Sequence, residues 1–132
     1  MASPRVLLAD DMPEMVKSLT QLLRRDFDVV GYAENGEEAI EAMAHLNPDL
    51  LVLDISMPVL NGIQVASLLR ESGSSVKLVF LTIHEDPDYI EAAFSVGASG
   101  YVFKSRVATD LIPAVEGVLR GRKFTSPRCR SS

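Results

Sequence analysis

The chain has 132 residues, 47% of them hydrophobic, with 18 acidic side chains against 13 Lys and Arg, a net charge of -5 and one cysteine. That length suits one domain with a real core, and the mild acidity argues against broad attraction to nucleic acid or an anionic membrane. No apolar run approaches membrane-spanning length, Met1-Ala-Ser-Pro-Arg5 lacks the basic start and apolar segment of a signal peptide, and Cys129 stands unpaired in a polar tail, which fits a reducing, cytoplasmic setting.

Arg5-Val-Leu-Leu-Ala9 is a short apolar strand ending in Asp10-Asp11. Asp11 is placed to cap a helix that Pro13 opens, with Glu14 three residues on and an inward stripe of Val16, Leu19, Leu22 and Leu23. Phe27 to Ala33 forms a second strand, which suits an edge because it carries a charge and a glycine. Asn35 then caps a helix with Ala39, Ile40, Met43 and Leu46 inward, stopping at Asn47-Pro48, since the residue before proline disfavours helix.

Leu50-Leu-Val-Leu-Asp54-Ile-Ser-Met-Pro58 organises the rest of the chain. Four apolar residues without alternation suit a strand buried on both faces, and Pro58 cannot join a ladder. Asp54 thus falls at the C-terminal end of a central strand; taken alone, it also suits a turn aspartate capping its own backbone. Asn61-Gly62 starts a helix with Val65, Leu68 and Leu69 on one side, closed by Gly73. Val76 to Leu81 is a fourth strand, followed by Thr82, and Asp86-Pro87 starts a helix burying Ile90, Ala93 and Phe94 and closing at Gly97. Gly100 to Phe103 is a fifth strand, followed by Lys104. The last helix spans about Thr109 to Arg120, with Leu111, Ile112, Val115, Val118 and Leu119 inward and Pro113 in its first turn.

Five strands alternating with five helices predict an α/β doubly wound parallel sheet of flavodoxin-like order 2-1-3-4-5. The domain spans residues 1–121, leaving 122–132 as a polar, basic tail or the start of a linker. All strands of such a sheet share one C-terminal edge. Asp10, Asp11, Asp54, Thr82 and Lys104 therefore converge on one shallow cleft. Three neighbouring carboxylates repel unless a cation is present, and an oxygen-only donor set favours Mg²⁺. With the ion bound, a carboxylate oxygen can attack a phosphoryl group, whose oxygens need the positive charge and donors that Lys104, Thr82 and backbone N–H groups after Asp54 supply.

Val6-Leu-Leu-Ala-Asp-Asp11, Leu51-Val-Leu-Asp-Ile-Ser-Met-Pro58 with Asn61-Gly62, Val79-Phe-Leu-Thr82 and Gly97-Ala-Ser-Gly-Tyr-Val-Phe-Lys104 together resemble the receiver domain of two-component response regulators. His84-Glu-Asp-Pro and Gly97-Ala-Ser-Gly-Tyr101 are most similar to receivers that precede a LuxR/NarL-type helix-turn-helix. The resemblance implies a phosphorylation switch rather than an enzyme with an external substrate: the chain catalyses only its own phosphoryl transfer and dephosphorylation. It implies Asp54 as phosphoacceptor, Asp10, Asp11, Asp54 and the Ser56 backbone carbonyl as Mg²⁺ ligands, and Lys104 as the phosphate-pairing cation. It also implies Thr82 and Tyr101 as the switch pair, and Ser56 and His84 as the side chains that tune dephosphorylation. A half-buried strand aromatic is the plainer account of Tyr101. The implied partners are a sensor histidine kinase or small phosphodonor, and a second copy through helices one and five or the strand-four to helix-five face. DNA would be read by a domain after Ser132, not by this chain, and no membrane is involved. A stand-alone receiver acting through protein contacts is an alternative. A haloacid-dehalogenase-like phosphatase ranks low, because Ser56 stands where its second aspartate belongs. Ser105 follows Lys104 where many receivers have proline after a cis bond, so this loop is either trans or strained.

Overall fold

The computed structural model describes residues 3–127. Cys129 and the rest of the 128–132 segment lie outside the described residues. The elements run β1 (Arg5–Ala9), α1 (Pro13–Leu23), β2 (Asp28–Ala33), α2 (Gly36–Leu46), β3 (Leu50–Leu53), α3 (Gly62–Glu71), β4 (Lys77–Thr82), α4 (Pro87–Ser95), β5 (Gly100–Phe103), a 3₁₀ turn (Lys104–Arg106), α5 (Val107–Leu119) and β6 (Phe124–Thr125).

The sheet order is β2-β1-β3-β4-β5-β6, with every pairing parallel. The first five strands follow the expected doubly wound order. The sixth was not expected: Phe124–Thr125, inside the segment read as a tail, extends the sheet beyond β5.

Strand period separates two cores. Leu7, Ala9, Leu51, Leu53, Phe80, Tyr101 and Phe103 face one side, toward residues of α2, α3 and α4. Val6, Leu8, Leu50, Val52, Val79, Leu81 and Val102 face the other, toward α1 and α5. All four residues of β3 are buried, as a strand with helices over both faces requires.

Several local expectations need correction. The N-cap of α1 is Met12 rather than Asp11, and its side chain makes no capping bond. Asp86 holds the N-cap position of α4, also without a side-chain capping bond. Phe27 is buried but precedes β2, and Val76 precedes β4. Leu68 is 42% exposed, turned from the stripe that Val65 and Leu69 bury. α5 starts at Val107, so Pro113 sits in the helix interior. There its ring nitrogen has no proton to donate to the preceding turn. By contrast, Asn35 accepts from Glu38 N at 2.9 Å, and Asn61 with Gln64 forms a reciprocal capping box.

Candidate functional site: an acid cluster at the sheet edge

The backbone ladder continues one rung past the strands. Asp54 N donates to Ala9 O at 2.9 Å and Asp10 N to Ala33 O at 3.0 Å. With Ala9 paired to Leu53, this places Asp10 and Asp54 side by side. One carboxylate oxygen from each of Asp10, Asp11 and Asp54 lies within 4.8 Å of the others. Asp10 and Asp54 are 1% and 4% exposed, whereas Asp11 faces solvent.

Lys104, carried to the same edge by β5, reaches into the cluster. Its Nζ lies 2.9 Å from Asp54 Oδ2 and 2.9 Å from Asp10 Oδ2. It donates a well-directed hydrogen bond to Asp54, but Asp10 Oδ2, at the same distance, receives no aligned hydrogen bond from any described residue. The other oxygens are held by backbone: Ser56 N donates to Asp54 Oδ1 at 3.2 Å and Met12 N to Asp10 Oδ1 at 2.9 Å. Two buried carboxylates thus share one ammonium beside a third, exposed acid, and Asp10 Oδ2 has no well-aligned donor among the described residues. That donor set fits a hard divalent cation.

The protonation equilibria reflect this imbalance. Burial pushes the Asp54 carboxyl above its ordinary value, outweighing the hydrogen bond and charge of Lys104, while the neighbouring Asp10 adds to the rise. Burial works to lower Lys104, but its close contacts with the Asp10 and Asp54 carboxylates and their charge win and hold its pKa up. Both directions follow from anions gathered in a poorly hydrated pocket.

The floor of the site is backbone packed on glycine. A Cβ on Gly62 would stand 2.2 Å from the Asp54 carbonyl oxygen, and one on Gly36 would stand 2.2 Å from the Leu60 carbonyl oxygen. Neither position admits a side chain without moving the loop after β3. Between them Val59 adopts φ +72°, with Leu60 N donating to Pro58 O at 2.9 Å, a γ-turn rare for a β-branched residue.

Beside the acids, Thr82 is fully buried and its Oγ1 accepts from His84 N at 3.2 Å. Tyr101 is fully buried too: its hydroxyl donates to His84 O at 2.6 Å and its ring meets Phe103 edge-on at 5.9 Å. Burial, followed by the nearby charge of Asp86, raises the Tyr101 phenol well above its usual value. Tyr101 therefore stands inward, more enclosed than a half-buried strand aromatic. Ser56 Oγ lies 2.8 Å from His84 Nε2, and the His84 ring stacks on Tyr89 with centroids 4.1 Å apart. Thr82, His84 and Tyr101 are thus one connected group, which residue-by-residue reading could not disclose. Among the described residues no peptide bond is cis, so Lys104-Ser105 is trans.

A parallel sheet of this order with acids, hydroxyl and ammonium gathered at one edge defines a phosphoryl-signalling receiver. The sequence matches the response regulator receiver domain over residues 6–116, and the chain belongs to that family. It is 38% identical over 125 residues to the uncharacterized transcriptional regulatory protein YvfU of Bacillus subtilis, covering 93% of this chain and 62% of the relative. It is 35% identical over 123 residues to the nitrate/nitrite response regulator protein NarL of Escherichia coli, covering 92% and 57% respectively. A two-component response regulator of the LuxR family from Aurantimonas superposes with a TM-score of 0.90 at 31% identity, over 96% of this chain and 91% of that one. The non-phosphorylated receiver domain of the stress response regulator RcsB from Escherichia coli gives 0.88 at 27% identity, over 95% and 99%. The chain spans roughly three-fifths of the length of these curated relatives.

Among the described residues no helix is long and apolar enough to cross a membrane.

Proposed function

We propose that this chain is a phosphoacceptor switch in which Asp54 takes a phosphoryl group. The observation that carries the reading is Lys104 Nζ set 2.9 Å from both Asp10 and Asp54, with a carboxylate oxygen of Asp11 close by. Asp10, Asp11, Asp54 and the Ser56 carbonyl would hold Mg²⁺, which neutralises charge on the phosphoryl oxygens. An Asp54 carboxylate oxygen forms the new bond to phosphorus, and the bond from phosphorus to the donor breaks with its electron pair leaving on the donor. Lys104 then exchanges a carboxylate partner for a phosphoryl oxygen, and the Ser56 N–H stays on the aspartyl group.

The added charge also draws on the Thr82 hydroxyl, which at present accepts from His84 N. Tyr101 already occupies the inward position, so the response passes through Thr82 and the His84 backbone that Tyr101 grips rather than through a swing of the ring. This biases two packings of the surface from β4 to α5. Ser56 and His84 set access for the water that removes the phosphate. The phosphodonor is a sensor histidine kinase or a small acyl phosphate. The output, given relatives named as transcriptional regulatory proteins, is transcription through a DNA-reading domain of a longer parent, with pairing of two copies as its control.

Incubation with acetyl phosphate and Mg²⁺ tests this by intact mass. One phosphoryl group is expected on the wild type, none with the metal chelated and none on Asp54→Asn. Labelling of Asp54→Asn at the wild-type rate would move the acceptor elsewhere.

A further inference from the structure

A second, separate polar cluster forms just past β6, the strand that the sequence did not announce. Ser126 is 2% exposed and Asp110 is 4% exposed. Ser126 Oγ donates to Asp110 Oδ2 at 2.6 Å and accepts from Phe103 N at 3.1 Å. Arg106 grips the same carboxylate from the other side, Nε to Oδ2 at 2.8 Å and Nη2 to Oδ1 at 3.3 Å. Burial works to raise the Asp110 carboxyl, but the hydrogen bonds of Arg106 and Ser126 outweigh it and hold the group below its ordinary value.

The position of these contacts matters more than their number. Phe103 is the residue before Lys104, and Arg106 closes the 3₁₀ turn that Lys104 opens. The turn carrying the ammonium is therefore pinned at both ends, by Ser126 at its start and by Asp110 at its finish. Without β6, β5 would be an edge strand and the Phe103 N–H would lack this partner. Ser126 N to Tyr101 O at 2.9 Å and Phe124 N to Ser99 O at 3.0 Å fix the serine in place. Lys123 Nζ, 5.8 Å from the Phe94 ring centroid, ties the same segment to α4. Ser126 also lies beyond the family match, which stops at residue 116.

We propose that Ser126 and Asp110 are positioning residues for Lys104: the short strand after α5 completes the phosphoryl site from outside by fixing the turn from which the ammonium reaches Asp54. The inference rests on the phosphoacceptor reading above. It makes the segment past α5 a working part of the receiver rather than a spacer.

The test uses the full chain as Ser126→Ala, Asp110→Asn and, as a control one residue before Ser126, Thr125→Ala, whose side chain is exposed. Affinity for beryllofluoride, a phosphoryl mimic, is measured with saturating Mg²⁺, and affinity for Mg²⁺ alone is measured separately. Loosening the turn that carries Lys104 should weaken beryllofluoride about fivefold in Ser126→Ala and Asp110→Asn, and leave Thr125→Ala unchanged. Mg²⁺ binding should hold or tighten, because Lys104 competes for the same carboxylates and is now less well held. Unchanged beryllofluoride affinity in the two clasp variants would overturn the inference. So would a parallel loss of Mg²⁺ and beryllofluoride binding, the mark of a generally loosened site. Wild-type protein that binds no beryllofluoride would instead overturn the phosphoacceptor reading, and this inference with it.

Discussion

Two buried acid clusters lie about Lys104, and they are built in opposite ways. At the end of β1 and β3, three carboxylates gather, two of them share one ammonium, and one oxygen goes without an aligned donor. At the start of α5, one carboxylate takes a two-pronged arginine and the hydroxyl of the serine that follows β6. The first is short of positive charge, and its Asp54 is pushed up; the second is fully supplied, and Asp110 is pulled down. A poorly satisfied cluster costs stability and invites a ligand, whereas a satisfied one contributes order. The contrast separates chemistry from scaffolding better than burial does, because Asp10, Asp54 and Asp110 are all almost wholly buried.

The largest expected blow to the first cluster comes from beneath it. Gly62→Ala sets a Cβ against the Asp54 carbonyl oxygen and should cost roughly 3 kcal/mol in urea unfolding, at the top of the range for overpacking, with a matching loss of phosphoryl labelling. Lys104→Ala follows, at about 2–3 kcal/mol without added metal, since Asp54 can take up a proton rather than bear the full charge. Saturating Mg²⁺ should recover much of that loss. A deficit that Mg²⁺ does not reduce would show that the cluster is not short of cations.

Asp110→Asn should cost about 1–2 kcal/mol at neutral pH, by weakening a charged hydrogen-bonded pair. Its pH dependence has a definite sign. The folded value of Asp110 is depressed, so its contribution is complete above the ordinary carboxylate value near about 4 and is lost as pH falls through the folded one. The gap between wild type and Asp110→Asn should be flat down to about pH 4 and close below it. Asp54 runs the other way. Its folded value is raised, so ionising it costs stability in full above that value, and the cost fades as pH falls from there toward the ordinary carboxylate value near about 4. Asp54→Asn should therefore be more stable than wild type at neutral pH, with the advantage shrinking on acidification. Thermal melts of both variants across this range check the pair; two gaps of the same sign would erase the distinction between the clusters.

The smallest effect belongs to Ser56→Ala, which removes a contact with His84 at the rim. Stability should shift by no more than about 0.5 kcal/mol. The lifetime of the phosphorylated form, followed by loss of label after donor removal, should change severalfold.

Much of this was legible in the sequence. Unbroken apolar runs ending in Asp10, Asp54, Thr82 and Lys104 state which ends of which strands carry polar groups, and a parallel sheet brings those ends together. What stayed hidden depended on contacts between distant positions. Phe124-Thr-Ser126 is too short and polar to show strand period, and its pairing becomes clear only once β5 presents an open edge. Asp110, four residues after Arg106, looks like an ordinary solvated helix pair until Ser126 buries it. Asp11 looked like a cap because acids commonly are; the chain instead uses Asp10 Oδ1 to hold Met12 N and leaves Asp11 facing solvent. Gly62 was legible as a helix start, but not as the floor under Asp54.

The most direct test of the central claim is a crystal structure with Mg²⁺ and beryllofluoride. The account predicts the fluoride group on an Asp54 carboxylate oxygen, the metal among Asp10, Asp11, Asp54 and the Ser56 carbonyl, and Lys104 Nζ moved from Asp10 to a fluorine. Density for the group on Asp10 or Asp11, or an ammonium still bridging Asp10 and Asp54, would contradict it.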